Sequence, residues 1–207
     1  MVQLFIDGGG FMWPILIIFI IGLVFVLERL YHLFKGLSSN EAFANNVAES
    51  VKNSGIDSAK DLCNDAQGPV ANLCLSALDR AHLGPEEAEH ALDYSGNIEM
   101  ASMEKNMTWI SLCIATAPML GFLGTVWGMI QAFNDIKMAN DISPAVVAGG
   151  ISVALLTTAF GLVVAVVLQL LQNAVMYIID NQIVAMQKST TALLQAIADK
   201  FSENSKG

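Results

Sequence analysis

The groups of this sequence best suited to chemistry are threonine hydroxyls. They lie among glycines, in segments without charged residues. Residues 121–133 read GFLGTVWGMIQAF and residues 151–162 read ISVALLTTAFGL, and neither run contains an acid, a base or a histidine. Thr125, Thr157 and Thr158 can donate and accept hydrogen bonds, but they do not bind a proton at neutral pH. In apolar helices such residues mark either helix contacts or a polar path.

Helical spacing groups these threonines with small and polar residues into two stripes, one on each segment. Intervals of three and four residues place side chains on one helix face, so two stripes could line one channel. Packing is the alternative, because Gly124-x-x-x-Gly128 brings helices close together and threonine often bonds to its own helix. The first stripe is Pro118, Gly121, Thr125 and Gly128, and the second is Thr158, Gly161, Ala165, Gln169 and Gln172.

The stripes belong to segments that are long enough to cross a membrane. Residues 106–134 and 142–179 carry no charged side chain, and a third uncharged stretch covers residues 8–27. About 20 apolar residues span a bilayer, so we predict three transmembrane helices. The first lacks the basic start and cleavage site of a signal peptide, so we expect it to be retained. The last exceeds one span and must extend beyond the lipid, and Pro118 predicts a kink in the second.

The composition is that of a small integral membrane protein. Of 207 residues, 54% are hydrophobic and 14% are charged, and the formal net charge is −9. An acidic polar region argues against nucleic acid as a partner. The sequence shows no nucleophile–base pair and no cluster of metal ligands, so we expect a protein that is not an enzyme and holds no cofactor.

The basic residues predict the topology. They lie between the first and second spans and after the third, with Lys137 as the exception. Bases favour the cytoplasmic side, so we expect a periplasmic N-terminus and a cytoplasmic C-terminus. The predicted division is the N-terminus and first span in 1–30, a cytoplasmic helical region in 31–107, the second span in 108–133, a periplasmic loop in 134–145, the third span in 146–172 and a cytoplasmic helix and tail in 173–207.

The region between the first two spans has helical periodicity and no strand signal. We predict helices over 40–53, 57–66 and 70–82, and a further helix that starts near Glu86 and continues without a break into the second span. In the third of these helices, an apolar face should be buried. It consists of Val70, Leu73, Cys74, Ala77, Leu78 and Ala81. The fold class is therefore all-α.

Residues at the ends of the first span predict contacts with the membrane interface. Trp13 has the amphipathic ring typical of interfacial belts. Glu28 and Arg29, at the inner end, predict an ion pair that anchors the helix, with torque transmission or partner contact as the alternative.

The sequence contains three cysteines, Cys63, Cys74 and Cys113, and their spacing matches no zinc motif. Cys63 and Cys74 fall in the predicted cytoplasmic region, where thiols stay reduced. We therefore interpret all three as structural residues rather than as a disulfide framework.

Four collinear motifs resemble the ExbB/TolQ branch of the ExbB/TolQ/MotA proton-channel family. They are WPILIIFIIGLVFVLERLYHL at 13–33, GPVANLCLSALDRAHLGPEEAEHAL at 68–92, APMLGFLGTVWGMIQAF at 117–133 and ISVALLTTAFGLVVAVV at 151–167. MotA proteins have four spans and a larger cytoplasmic domain, so three spans favour the ExbB/TolQ branch.

The resemblance implies a homopentameric ring in the bacterial inner membrane. The ring would enclose a dimeric single-span partner similar to ExbD or TolR, whose membrane aspartate takes up the transported proton. Force would pass to a TonB- or TolA-like protein or to another envelope machine. Thr125 and Thr158 match the family's pore threonines, and Thr157 adjoins the second. Residues that would line the pore or allow close packing are Pro118, Gly121, Gly124, Gly128 and Gly161.

Two positions depart from the family pattern. Val153 stands where many ExbB and TolQ proteins have glutamate, and Val167 stands where many have proline. The first change leaves this chain without a carboxylate deep in the membrane, so a partner would have to supply the acid. It also favours the competing hypothesis of a membrane scaffold that holds partner helices without conducting. The sequence does not select the output, which could be nutrient import, gliding, secretion or outer-membrane constriction.

Overall fold

The computed structural model describes residues 2–35, 40–66, 68–139 and 144–204, and the regular structure in these ranges is helical. This agrees with the all-α prediction. The helices are α1 (Val2–Asp7), α2 (Met12–Lys35), α3 (Asn40–Asn53), α4 (Ile56–Asp65), α5 (Pro69–Arg80), α6 (Pro85–Met103), α7 (Met107–Ala139) and α8 (Pro144–Asn204), with a 3₁₀ turn at Ala81–Leu83.

Three helical stretches of the described chain are long and apolar enough to cross a membrane, as the sequence predicts. They lie within Met12–Phe34, Pro85–Met138 and Val147–Ser202. In the most apolar part of each stretch only 22%, 28% and 33% of the residues, respectively, are buried. Most of this apolar surface is therefore free to face lipid or other chains.

The chain divides into two compact units, of which the first comprises Met1–Arg29 and Asn106–Val175. Its core lies where α2, α7 and α8 meet. Gly22 allows this packing, because a Cβ at that position would lie only 2.7 Å from Cδ1 of Leu168. The buried core residues are Ile15, Cys113, Ala117, Val164 and Leu168.

The second unit comprises Leu30–Lys105 and Met176–Gly207. Helix α5 forms its centre, and all six residues of the predicted apolar face are buried there or in the following 3₁₀ turn. Gly68 and Gly84, with φ of 148° and 128°, precede Pro69 and Pro85. Proline suits the first turn of a helix because that position needs no backbone donor, so these Gly-Pro pairs set where α5 and α6 begin.

The prediction that one helix continues from Glu86 into the second span is wrong. Helix α6 ends at Met103, α7 begins at Met107, and Asn106 between them has a φ of 66°. Asparagine tolerates this left-handed conformation better than most residues. The side-chain amide of Asn106 also donates to Oε2 of Glu28 at 3.2 Å. The break therefore coincides with a left-handed residue and a tertiary contact, and no glycine or proline marks this position in the sequence.

Helices α7 and α8 both continue beyond the limits predicted for the second and third spans, and those limits stay predictions. Helix α7 continues to Ala139, past the predicted limit at 133, and α8 extends unbroken over 61 residues from Pro144. Residues 140–143 of the predicted periplasmic loop lie outside the described residues. The length of α8 confirms that the last apolar segment extends well beyond one span.

Candidate functional site at the contact of α7 and α8

Helices α7 and α8 pack through residues that have small side chains or none. A Cβ at Gly161 would lie 2.6 Å from the carbonyl oxygen of Ala117, and one at Gly121 would lie 2.9 Å from the carbonyl oxygen of Thr157. Real side chains do not approach a carbonyl this closely, so glycine is required at both positions. Gly124 and Gly128 are buried in the same contact.

Thr158 joins the two helices by a hydrogen bond. Its Oγ1 donates to the carbonyl oxygen of Gly121 at 3.1 Å, and the side chain is half-buried. The bond spans 37 residues of sequence, so it holds α8 against α7 rather than stabilising either helix alone.

Thr157 and Thr125 donate within their own helices. Thr157 is 1% exposed, and its Oγ1 bonds to the carbonyl oxygen of Ala154 at 2.8 Å. That Oγ1 would lie 2.7 Å from a Cβ at Gly124, so the Thr157 side chain lies directly against α7. Thr125 follows Gly124, is half-buried, and donates to the carbonyl oxygen of Phe122 at 2.6 Å.

All three hydroxyls therefore give their proton to a backbone carbonyl and keep lone pairs that can accept. A water molecule or a neutral carboxylic acid could donate to them directly, whereas a carboxylate would require the hydroxyl to rotate away from its carbonyl. The segments 106–134 and 142–179 contain no Asp, Glu, Lys, Arg or His. The site can thus bind a group that carries a proton, but it lacks a side chain suited to carry one at neutral pH.

The structure brings Gly121 of the first predicted stripe into contact with Thr158 and Gly161 of the second. Gly121, Gly128 and Gly161 are buried, and each lies against the opposite helix. This arrangement agrees with the packing alternative for these three glycines. Pro118 is half-buried inside α7. A pore-lining role for Thr125 and Thr158 concerns an assembly larger than one chain and stays a prediction.

The polar residues further along the α8 stripe also form hydrogen bonds. Gln172 Nε2 donates to Oγ of Ser111 on α7 at 2.7 Å, and Gln169 Nε2 donates to Oδ1 of Asn173 at 3.1 Å. The first of these is a second polar link between α7 and α8, on the C-terminal side of Thr158 along α8.

A cavity of about 380 Å³ adjoins the α7–α8 contact, and sequence reasoning did not anticipate it. Val153, the position where the family resemblance implies glutamate, lines this cavity together with Thr157. Gly9, with φ of 73°, contributes backbone to the wall, and a Cβ there would lie 3.4 Å from Cγ1 of Val153. The sequence feature that could have indicated this cavity is the run of three glycines at residues 8–10, all of which line it. The other lining residues are Gly8, Gly10, Phe11, Pro14, Gly124, Trp127, Gly128 and Gln131.

Glu28, Arg29 and Trp13, which the sequence assigns to the ends of the first span, all make side-chain contacts in the structure. Arg29 is 2% exposed, and its Nε donates to Oε2 of Glu28 at 2.8 Å, which confirms the predicted ion pair. Trp13 is 62% exposed and stacks edge-on against Phe5 with ring centroids 5.4 Å apart. Anchoring at the membrane interface stays a prediction for both sites.

Among the described residues, no three His, Cys, Asp or Glu side chains converge on a position suited to a metal.

Comparison with known proteins gives relatives across most of the chain. A biopolymer transport protein ExbB homolog of Methanothermobacter thermautotrophicus is 32% identical over 182 residues, which are 87% of this chain and 64% of that protein. An ExbB-like protein of Synechocystis sp. is 30% identical over 166 residues, covering 78% of this chain and 65% of the relative. The chain thus spans slightly less than two thirds of the length of these two relatives.

A solved structure has the same fold. The MotAB structure from C. jejuni superposes with a TM-score of 0.64 at 19% identity, covering 84% of this chain and 68% of that one. The family model described as the MotA/TolQ/ExbB proton channel family matches residues 65–188, which include α5, α6, α7 and most of α8. That description is of a channel family rather than an enzyme family. The chain therefore belongs to the MotA/TolQ/ExbB proton channel family.

Proposed function

We propose that this chain is the channel and stator-like subunit of an envelope motor driven by the proton-motive force. It forms a homopentamer in the bacterial inner membrane, with its N-terminus in the periplasm and its C-terminus in the cytoplasm. The ring encloses a dimeric single-span partner similar to ExbD or TolR. Proton flow then drives a TonB- or TolA-like protein or another machine that spans the periplasm. Membership of the family and the three membrane-capable helices support this proposal.

The observation that carries the proposal is a set of threonine hydroxyls in membrane segments that have no acid. A proton that crosses 100 mV releases about 2.3 kcal/mol, but it needs a titratable group to carry it through hydrocarbon. In this proposal a partner carboxyl supplies that group. When the carboxyl is neutral it donates to the free lone pairs of Thr125, whose own proton is bonded to Phe122.

Thr125 is better suited to this contact than Thr158. The Thr158 hydroxyl is already bonded across the helix contact to Gly121, whereas the Thr125 bond stays within α7. A partner helix could therefore approach Thr125 without disturbing the packing of α7 on α8.

The exposed side of α7 supports assembly with other chains. Large apolar side chains stay exposed along this helix, and contiguous apolar surface marks contact with lipid or protein. Trp127 is 51% exposed beside Thr125, and Phe122 is 67% exposed. The further exposed apolar residues of α7 are Trp109, Leu112, Met119, Leu123, Val126, Ile130, Phe133 and Met138.

Proton flux in reconstituted vesicles tests the proposal. The chain and its single-span partner are co-purified, and their stoichiometry is measured by native mass spectrometry. They are then reconstituted with a pH-sensitive dye inside the vesicles and a potassium diffusion potential. We expect five copies of the chain for two of the partner, and flux that falls when the partner's membrane aspartate is changed to asparagine. Thr125→Val should lower flux at unchanged stoichiometry, while Thr125→Ser should preserve flux.

A non-conducting scaffold is the second candidate, and the observation in its favour is Val153, which places no carboxylate beside the cavity. The scaffold predicts the same assembly, but with flux no higher than in empty vesicles and no response to Thr125→Val. An assembly of this kind would overturn the channel proposal. Failure to bind the partner would overturn both.

A further inference from the structure

The cavity beside Val153, which we call the Val153 cavity, is lined in part by backbone that lies outside any helix. Residues 8–11 connect α1 to α2, and all four line the cavity. The N–H groups of Gly10 and Phe11 form no hydrogen bond with any described residue. Within a membrane, non-helical backbone is tolerated only where protein buries it or where it lines a water-filled space. Because no protein acceptor pairs with these N–H groups, water is the partner that they require.

This connection lies at a level well inside the ends of α7 and α8. A Cβ at Gly9 would lie 3.4 Å from Cγ1 of Val153, which belongs to the charge-free segment 142–179. Helix α8 begins at Pro144, about 14 Å of helix before Val153. Helix α7 likewise continues beyond Gly128, another lining residue. The Val153 cavity is therefore a recess walled by α7 and α8 rather than a patch on the outer surface.

Side chains of the Val153 cavity add further polar groups. Trp127 and Gln131 lie on its α7 wall, and neither side chain is hydrogen-bonded to another described residue. Thr157 lies on the α8 wall and keeps lone pairs that can accept from water. The cavity has a volume of about 380 Å³, and one water molecule occupies about 30 Å³ of the liquid. Several water molecules therefore fit, and they have polar partners on both walls.

A second cavity, on another face of α8, has only apolar side chains in its wall. We call it the Phe160 cavity; its volume is about 420 Å³, and Leu4, Leu156 and Phe160 are among the residues that line it. Apolar cavities of this kind stay dry, because water needs polar partners there. We therefore expect the Phe160 cavity to exclude water, although it is slightly larger than the Val153 cavity.

We propose that the Val153 cavity is a water-filled vestibule open to the periplasm, through which water and small hydrophilic solutes reach the Thr157 side of the α7–α8 contact. The periplasmic direction rests on the topology given in the proposed function. The vestibule belongs to a single chain, so it hydrates this contact without using the lumen of the ring. The short side chain of Val153 leaves the volume open to solvent.

The reactivity of introduced cysteines with a charged, membrane-impermeant methanethiosulfonate tests this proposal. Full-length Val153→Cys and Leu156→Cys are each produced with the partner, and right-side-out membrane vesicles are treated with the reagent. Cysteine reacts as its thiolate, which forms in water and not in an apolar cavity. Val153→Cys should be labelled, whereas Leu156→Cys, in the wall of the Phe160 cavity, should not exceed the unaltered chain. The unaltered chain measures the background from its three cysteines.

Radiolytic footprinting gives a second measurement that requires no variant. Hydroxyl radicals form from water beside the side chain that they oxidise. Phe11 lines the Val153 cavity and Phe160 lines the other, and both side chains are half-buried. In the purified complex in lipid nanodiscs, Phe11 should be oxidised faster than Phe160.

The proposal is overturned if Val153→Cys is labelled no faster than Leu156→Cys, or if Phe11 and Phe160 are oxidised equally. Labelling of Val153→Cys in inside-out vesicles alone would also overturn it, together with the periplasmic N-terminus of the proposed function. Labelling from the periplasmic side in an assembly that conducts no protons would support the vestibule and overturn the channel.

Discussion

The Thr158 hydroxyl donates a hydrogen bond to the carbonyl oxygen of Gly121, 3.1 Å away on the neighbouring helix. This bond makes Thr158 part of the α7–α8 contact as well as a candidate for the ion pathway. Loss of activity in Thr158→Val would therefore have two explanations, a damaged contact or a damaged pathway. The variant Thr125→Val distinguishes the two explanations, because the hydrogen bond of Thr125 stays within α7.

We expect Thr158→Val to destabilise the protein and Thr125→Val to leave its stability almost unchanged. The first variant removes a hydrogen bond between helices, which contributes about 0.5–1.5 kcal/mol in proteins and averages about 0.6 kcal/mol in membranes. The measurement is the free energy of unfolding in detergent, with Thr158→Ser as the variant that keeps the donor. Equal destabilisation by Thr125→Val would contradict the assignment.

Gly161→Ala should be much more disruptive than Gly149→Ala on the same helix. The new methyl group at 161 would lie 2.6 Å from the carbonyl oxygen of Ala117, so α7 and α8 must move apart. Overpacking of this kind costs about 1–3 kcal/mol. A Cβ at Gly149 meets no atom of the described residues within 4 Å.

The thermal unfolding midpoint of each glycine variant in detergent measures this difference. Gly149→Ala should match or exceed the unaltered chain, because alanine favours helix over glycine. Similar midpoints for the two variants would show that α7 and α8 do not meet at Gly161.

Gln182→Leu should destabilise the second unit, while Gln195→Leu should not. Gln182 is 5% exposed, and its Nε2 donates to the carbonyl oxygen of Leu33 at 3.2 Å. Gln182 thus donates to the backbone of α2 from a position 149 residues further along the chain. A buried carbonyl left without a donor costs about 1–3 kcal/mol. Gln195 is exposed on the same helix and serves as the control.

Hydrogen exchange of the amides in the last turn of α2 and in α8 reports the Gln182 effect locally. Protection should fall in Gln182→Leu and persist in Gln195→Leu. Unchanged protection in both variants would show that the bond to Leu33 contributes nothing.

Asn106→Ala should destabilise the junction of α6 and α7 more than Asn106→Gly. Both changes remove the amide that donates to Glu28 at 3.2 Å. Alanine must in addition adopt a φ near 66°, which costs an L-residue with a Cβ about 1–2 kcal/mol. The difference in unfolding free energy between the two variants isolates the backbone contribution. If alanine is tolerated as well as glycine, the left-handed turn is not required there.

Much of the fold follows from sequence alone, because it depends on local periodicity and on segment length. Charge-free runs of at least about 20 residues indicate helices that can cross a membrane. A 3.6-residue period indicates which face of α5 is buried. Helix starts after Gly68 and Gly84 follow from the fixed φ of proline. None of these features needs a contact between distant residues.

Tertiary structure decided the features that depend on how one helix is rotated against another. Periodicity showed that Thr158 shares a face with Gly161, but not that its hydroxyl meets Gly121 across 37 residues. The contact of Asn106 with Glu28, at the break between α6 and α7, joins residues that are far apart in sequence. The cavity beside Val153 likewise depends on where the backbone at Gly9 lies. A sequence specifies which atoms each face presents, whereas the separation of two faces is set by packing over the whole unit.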